Sequence, residues 1–165
     1  MSEQLNESGA GPRFGVTPLE QIRHLSGLEI LRGIFLEGRF PRPPIGQTLD
    51  FQGVEVEKGR VVFAGTPDLR HYNPIGVVHG GYAATLLDSC MGCAVHSALE
   101  AGQGYTTLEL KVNYVRAMTV NTGRVRAEGK IINVGRQVAT AEGRIVGNDG
   151  KLYAHGTTTC LVFPI

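Results

Sequence analysis

Surplus charge, cysteine, long apolar runs and nucleotide-binding glycine patterns are all scarce in this chain of 165 residues. Lysine and arginine number 16 against 15 acids, and the bases are scattered, which excludes the basic footprint of a nucleic-acid or anionic-membrane binder. The three cysteines, Cys90, Cys93 and Cys160, lack a framework spacing, so a disulfide-stapled secreted domain is not expected and a reducing compartment is. No stretch approaches the length of a membrane span. The opening MSEQLNESGAGPRFG is polar and lacks the apolar core of a signal peptide, so the expected location is the cytoplasm. No GxGxxG, P-loop or GxSxG pattern occurs. What these absences leave is a small molecule or another subunit as the partner, and a length that suits a single core.

Present instead are two kinds of periodicity. Residues 1–16 are rich in glycine and polar residues and are expected to form a loose, flexible tail. Residues 17–40 space Ile22, Leu25, Leu28, Leu31, Ile34 and Phe35 as on a helix, with Thr17-Pro18 as a start and Ser26 and Glu29 as a capping box, which predicts an N-terminal helical extension of one broken or two short helices. Pro41, Pro43 and Pro44 end it. Residues 41–165 are expected to form the main domain. Within it LDFQGVEVEKGRVVFAGTP alternates as a hairpin turning at Lys58-Gly59, with Val54 and Val56 on one face and Glu55 and Glu57 on the other. HYNPIGVVHGG is a loop, GYAATLLDSCMGCAVHSALEAG predicts a long helix ending at Gly102, and four strand-like runs follow. Their turns fall at Asn121-Thr122-Gly123, Val134-Gly135-Arg136 and Asn148-Asp149-Gly150. The order predicts an α+β fold, with one antiparallel sheet wrapped around the long central helix.

That helix is apolar over most of its circumference and yet carries Asp88. An ionised carboxylate away from water costs several kcal/mol unless it is paired or hydrogen-bonded. Residues on the same helix face, counted in steps of three and four from Asp88, are mostly small, Gly81, Ala84, Thr85 and Gly92 among them, which leaves room for another chain or a ligand. His79-Gly80-Gly81 stands at the helix start, where unpaired N–H groups meet the positive end of the helix dipole, an arrangement able to hold a developing oxyanion. Asn73 adds an amide that could donate to the same oxygen. A structural cap or an arginine partner for Asp88 is the competing reading, and the loop ahead of the helix favours acyl transfer to water.

The stretch NPIGVVHGGYAATLLD, with Asn73, His79, Gly80, Gly81 and Asp88 at these spacings, resembles the signature of hotdog-fold acyl-CoA thioesterases of the PaaI-like (phenylacetyl-CoA thioesterase-like) group. TTLELKVNYVRA resembles that family's next strand, with Ala117 in place of its usual proline. The resemblance covers roughly residues 40–163. It implies a hotdog fold and an acyl-CoA substrate, with Asp88 as nucleophile or general base and the Gly80 N–H and Asn73 side chain polarising the thioester carbonyl. It further implies that His79 shapes the site or releases product and that Thr107, or else Thr106, orients the water. Gly81 and Met91 would line the substrate. A homodimer in which Asn73 and Gly80 face the other chain's Asp88 and Thr107, paired again into a tetramer, is implied too, and so is the absence of any cofactor beyond the CoA of the substrate.

Other features weigh less. Cys90 and Cys93 fall inside a helix with no second ligand pair, which argues against zinc. Arg136 could reach the phosphates of CoA, or it could be an ordinary turn residue. A hotdog acyl-thioester dehydratase or hydratase, using His79 and an acid as proton-transfer groups, and a non-catalytic acyl-CoA-binding module are the alternative functions.

Overall fold

Alternating side chains from residue 51 onward build six strands, and the computed structural model, which describes residues 13–165, assembles them into one antiparallel sheet. The strands are β1 (Phe51–Glu57), β2 (Arg60–Gly65), β3 (Gln103–Tyr114), β4 (Val125–Val134), β5 (Val138–Gly147) and β6 (Leu152–Pro164). Their order across the sheet is β1-β2-β4-β5-β6-β3, which leaves β1 and β3 at the edges. Of the four glycine turns expected, three are made with positive φ at the glycine, Gly59 at 81° between β1 and β2, Gly123 at 68° before β4 and Gly150 at 75° between β5 and β6, whereas Gly135 in the β4–β5 turn keeps a negative φ. Three short helices precede or interrupt the strands, α1 (Leu19–Ile22), α2 (Gly27–Phe35) and α3 (Pro44–Leu49), and α4 (Gly80–His96) packs across the sheet. This is the α+β, hotdog-type arrangement that the sequence pattern predicts.

The close fit of α4 to the sheet depends on two glycines. Gly129 on β4 and Gly143 on β5 are register partners. A Cβ on Gly129 would lie 2.3 Å from the Cys90 carbonyl oxygen, and one on Gly143 would lie 2.8 Å from the Met91 side chain. The helix backbone therefore rests almost on the strand backbone, and Leu86, Leu87, Cys90, Met91 and Val95 have no exposed surface. α2 closes one end of this core, with the Phe35 ring packed edge-on against Phe63 at 5.1 Å.

The structure departs from the sequence reading in four places. The helix expected to run to Gly102 stops at His96. There the Ser97 hydroxyl donates back to the Ala94 carbonyl and accepts the Gly59 N–H at 2.8 Å, while the Leu99 carbonyl accepts the Gly27 N–H, so the following residues are tied to the β1–β2 turn and to α2. The proline-rich stretch contains a helix, α3, because Pro44 at its first position loses no bond there. A bulge between Gly53 and Glu55 displaces the expected Val54/Val56 pairing, leaving Val56 buried and Val54 half-buried. Of the segment expected as a tail, residues 1–12 lie outside the described residues, and Phe14 forms a bridge to Arg42. The Ser26–Glu29 capping box of α2 is formed as predicted.

Because the Gly129 position has no room for a methyl group, Gly129→Ala is expected to cost about 3 kcal/mol or more by overpacking. Urea unfolding at neutral pH measures this, and a wild-type midpoint would mean that the helix does not lie this close to β4.

Candidate active site

The loop before α4 is fixed by its own side chains. The Asn73 side-chain oxygen Oδ1 accepts the N–H groups of Ile75 and Val77 at 3.1 and 3.3 Å, closing a turn around Gly76, whose φ is 83°. An amide so held turns its NH2 group away from the turn, where it is able to donate. Val78 N–H bonds the Met118 carbonyl and His79 N–H bonds the His71 carbonyl, which anchors the loop on both sides. His79 then caps the helix, its Nδ1 accepting the Gly81 N–H at 2.8 Å. This bond consumes the Gly81 donor and leaves the Gly80 N–H without an acceptor among the described residues. Tyr114, at the end of β3, lies over Gly80 so closely that a Cβ there would sit 3.1 Å from the ring. Val77, His79, Gly80, Tyr114 and Met118 line a cleft of about 280 Å³.

Asp88 lies eight residues further along α4, which is roughly 12 Å by helix rise, and it faces a different cavity. It is half-buried, and its Oδ1 accepts the Thr107 hydroxyl at 2.9 Å. The cavity, about 170 Å³, is lined by the rings of Phe35, Phe51, Phe63 and Tyr105, by Ser89 and Cys93 on the same helix as the acid, and by Phe14, Arg42 and Ile45 from the N-terminal part of the chain. Asp88 is the one carboxyl group in this lining. Burial, reinforced by the Asp88 charge, pushes the Cys93 thiol up to about 12, so at neutral pH it is a thiol and no rival nucleophile. Burial likewise raises the Tyr105 hydroxyl well above its ordinary value, with Cys93 and Asp88 adding to the effect. An acid with a hydroxyl donor beside it, in a ring-lined cavity, is equipped to activate water or to attack a carbonyl.

The sequence-predicted residues thus fall into groups. Thr107 and Asp88 are brought together, and Asn73, His79 and Gly80 are brought together elsewhere. Met91 is corrected: it has no exposed surface and packs on Gly143, so it belongs to the helix–sheet core and not to the cleft. Gly81 offers no free N–H, for the reason given above. Thr106 is exposed, on the opposite face of β3 from Thr107. Arg136 sits exposed in the β4–β5 turn, beside a shallow recess with Asn133 and Gln137. The stripe of small residues is only partly open, because Tyr105 fills the space over Gly92. Sequence reasoning missed Arg42, Ser89, Tyr105 and the three phenylalanines. Phe51 and Phe63 could have been found as inward positions of a hairpin, whereas Arg42 sits in a proline-rich connection with no periodicity.

Comparison with known proteins bears on the family and the fold. The model of the thioesterase superfamily matches residues 75–154. A Halobacterium salinarum protein named only as an esterase is 36% identical over 59% of this chain and 68% of its own length. A phenylacetic acid degradation-related protein of Ralstonia eutropha has a crystal structure that superposes with a TM-score of 0.71 at 28% identity, covering 83% of this chain and 99% of that one. A Streptococcus mutans protein solved with bound acetyl-CoA superposes with a TM-score of 0.63 at 26% identity, covering 69% of this chain and 91% of that one.

His96, under Tyr105 at the end of α4, has a pKa held down to about 4 by burial, against an ordinary 6.5. The unfolded chain takes up this proton first as pH falls, so the histidine's contribution to stability is intact above about pH 6.5 and is lost progressively toward pH 4. His96→Phe is expected to flatten that part of the stability–pH curve, and urea midpoints between pH 6.5 and 4.5 that fall as steeply as in wild type would contradict the assignment.

Proposed function

The chain belongs to the thioesterase superfamily of hotdog-fold hydrolases, whose chemistry is the hydrolysis of acyl thioesters, and on that premise we propose that it cleaves an acyl-CoA to the free acid and CoA. The observation that carries this reading is Asp88 itself, half-buried in a ring-lined cavity and bonded to Thr107. Asp88 acts on the thioester carbonyl either as the base that takes a proton from water or as the nucleophile, and Thr107 orients the acid or the attacking water. Charge builds on the carbonyl oxygen as the tetrahedral intermediate forms. The Gly80 N–H and the Asn73 amide receive it, and collapse expels CoA as the thiolate.

One chain is unable to supply both halves to one substrate, since roughly 12 Å of helix separates Gly80 from Asp88. The proposed unit is therefore a homodimer in which Asn73 and Gly80 of one chain serve Asp88 and Thr107 of the other. The open edge of β3, with Leu108 and Tyr114 exposed on the strand and Val115 just beyond it, supports that pairing, since it presents unpaired backbone groups beside apolar surface. Ile132, Val138 and Leu161 expose a second apolar surface, which supports a dimer of dimers. Arg136 is assigned to CoA phosphate on charge alone. His79, its Nδ1 occupied as the helix cap, is assigned to shaping the oxyanion loop. Among the described residues no helix is long and apolar enough to cross a membrane.

Asp88→Asn is expected to lower kcat about a hundredfold or more with the fold intact, because an amide is neither base nor nucleophile. CoA release within a few-fold of wild type would remove Asp88 from the mechanism. Asn73→Ala is expected to cost on the order of 1–3 kcal/mol of transition-state stabilisation, and a change in KM alone would make Asn73 a binding residue. Mixing the two inactive variants tests the shared site. After random exchange about half of the dimers are mixed, and each has one site with both wild-type groups, so activity returns to roughly a quarter of wild type. No recovery after exchange proven by mass would sink the two-chain site.

A further inference from the structure

The cavity beside Asp88 has an end wall of unusual origin. Phe14, Arg42, Gly46, Phe51 and Gln52 line it, and the same five residues line a larger neighbouring cleft of about 400 Å³ that continues to Asp50, Thr66 and Arg124. The two spaces are thus separated by one layer of side chains. That layer is held in two ways. The Arg42 guanidinium donates to the Gln52 side-chain oxygen, and the backbone around Phe14 bonds to that of Arg42, Arg42 N–H to the Arg13 carbonyl at 2.8 Å and Gly15 N–H to the Arg42 carbonyl at 3.0 Å. All five residues precede residue 75, where the match to the superfamily begins.

We propose that the Phe14–Arg42–Gln52 layer is the end wall of the acyl pocket and sets the length of acyl group the protein accepts. This rests on the reading above only in taking the cavity beside Asp88 as the place of the acyl group. Asp88, Ser89 and Cys93 reach the cavity from α4 and Tyr105 from β3, whereas Phe14, Arg42 and Gln52 reach it from the N-terminal segment and β1 and are shared with the neighbouring cleft, so the acyl group would run from the first set toward the second. A volume of about 170 Å³ suits one ring or a six-carbon chain, since an apolar cavity of about 150 Å³ holds one benzene molecule. Ten carbons require the neighbouring cleft as well, and the wall denies them that space. The substrate class is therefore a short or single-ring acyl thioester. The selective element is the N-terminal segment folded against β1, outside the part of the chain that matches the superfamily.

The test is binding of two non-hydrolysable thioethers, S-hexyl-CoA and S-decyl-CoA, to wild type, Arg42→Ala, Gln52→Ala and the double variant Phe14→Ala/Arg42→Ala, with thermal midpoints recorded for each. Wild type is expected to bind the hexyl compound at least tenfold more tightly, and opening the wall is expected to reduce that ratio at least tenfold as the two spaces join. Equal wild-type affinity for both thioethers, affinity for neither, or loss of affinity for both in the variants with the ratio unchanged overturns the proposal. The last pattern would make the layer a purely structural clamp. Because the readout is binding, it stands apart from the hydrolysis reading: a wild-type protein that discriminates the thioethers but releases no CoA from hexanoyl-CoA or phenylacetyl-CoA would refute the reaction and leave the wall in place.

Discussion

The contact on which the rest of the structure depends is the backbone-to-backbone approach of α4 to β4 and β5 at Gly129 and Gly143. Any side chain at these two positions would lift the helix by the thickness of a methyl group or more. Lifting it would move Asp88 away from Thr107, whose own position is fixed by the pairing of β3 with β6. The geometry of the candidate site is thus set from behind, by residues that have no side chains and no chemistry. Met91 belongs to that support. Its side chain packs against Gly143 and fills the space that residue leaves.

A single helix carries residues of both halves of the proposed site, Gly80 at its first turn and Asp88 more than two turns later. Its rise keeps them roughly 12 Å apart, and no packing adjustment within one chain changes that distance. Asp88 also lies beyond the first turn of its own helix, where that helix's dipole has largely faded, and the Thr107 hydroxyl donates to it.

Most of the fold was legible because it follows from periodicity. Every strand lies where alternation predicted, and the turns that use Gly59 and Gly150 form where glycine stood. What periodicity does not encode is where tertiary hydrogen bonds overrule propensity. SALEAG has good helix formers, yet Ser97 and Leu99 bond to the β1–β2 turn and α2, and the helix stops at His96. The site divides in the same way. Asp88 was visible as a charge on an apolar helix, Asn73 and Gly80 were visible in the loop before it, and Thr107 came from alignment with a family strand. Arg42, Phe14 and Gln52 were not visible, because a wall built from an N-terminal bridge, a proline-rich connection and a strand end leaves no spacing to read.

An acid inside a ring-lined cavity meets opposing demands, and the lining shows how they are balanced. Aromatic walls favour an apolar acyl group and exclude water, but each increment of apolar wall around a carboxylate also raises the cost of its charge. Here Ser89 and Cys93 stand beside the acid on α4, the Thr107 hydroxyl donates to it, and the phenylalanine rings supply the apolar part of the lining, which the Arg42–Gln52 pair completes. A longer apolar cavity would add affinity for long chains without improving the reacting end, since binding realised equally in substrate and transition state does not raise kcat. A short cavity closed by a fixed wall keeps the binding energy close to the carbonyl, where it can be turned into orientation.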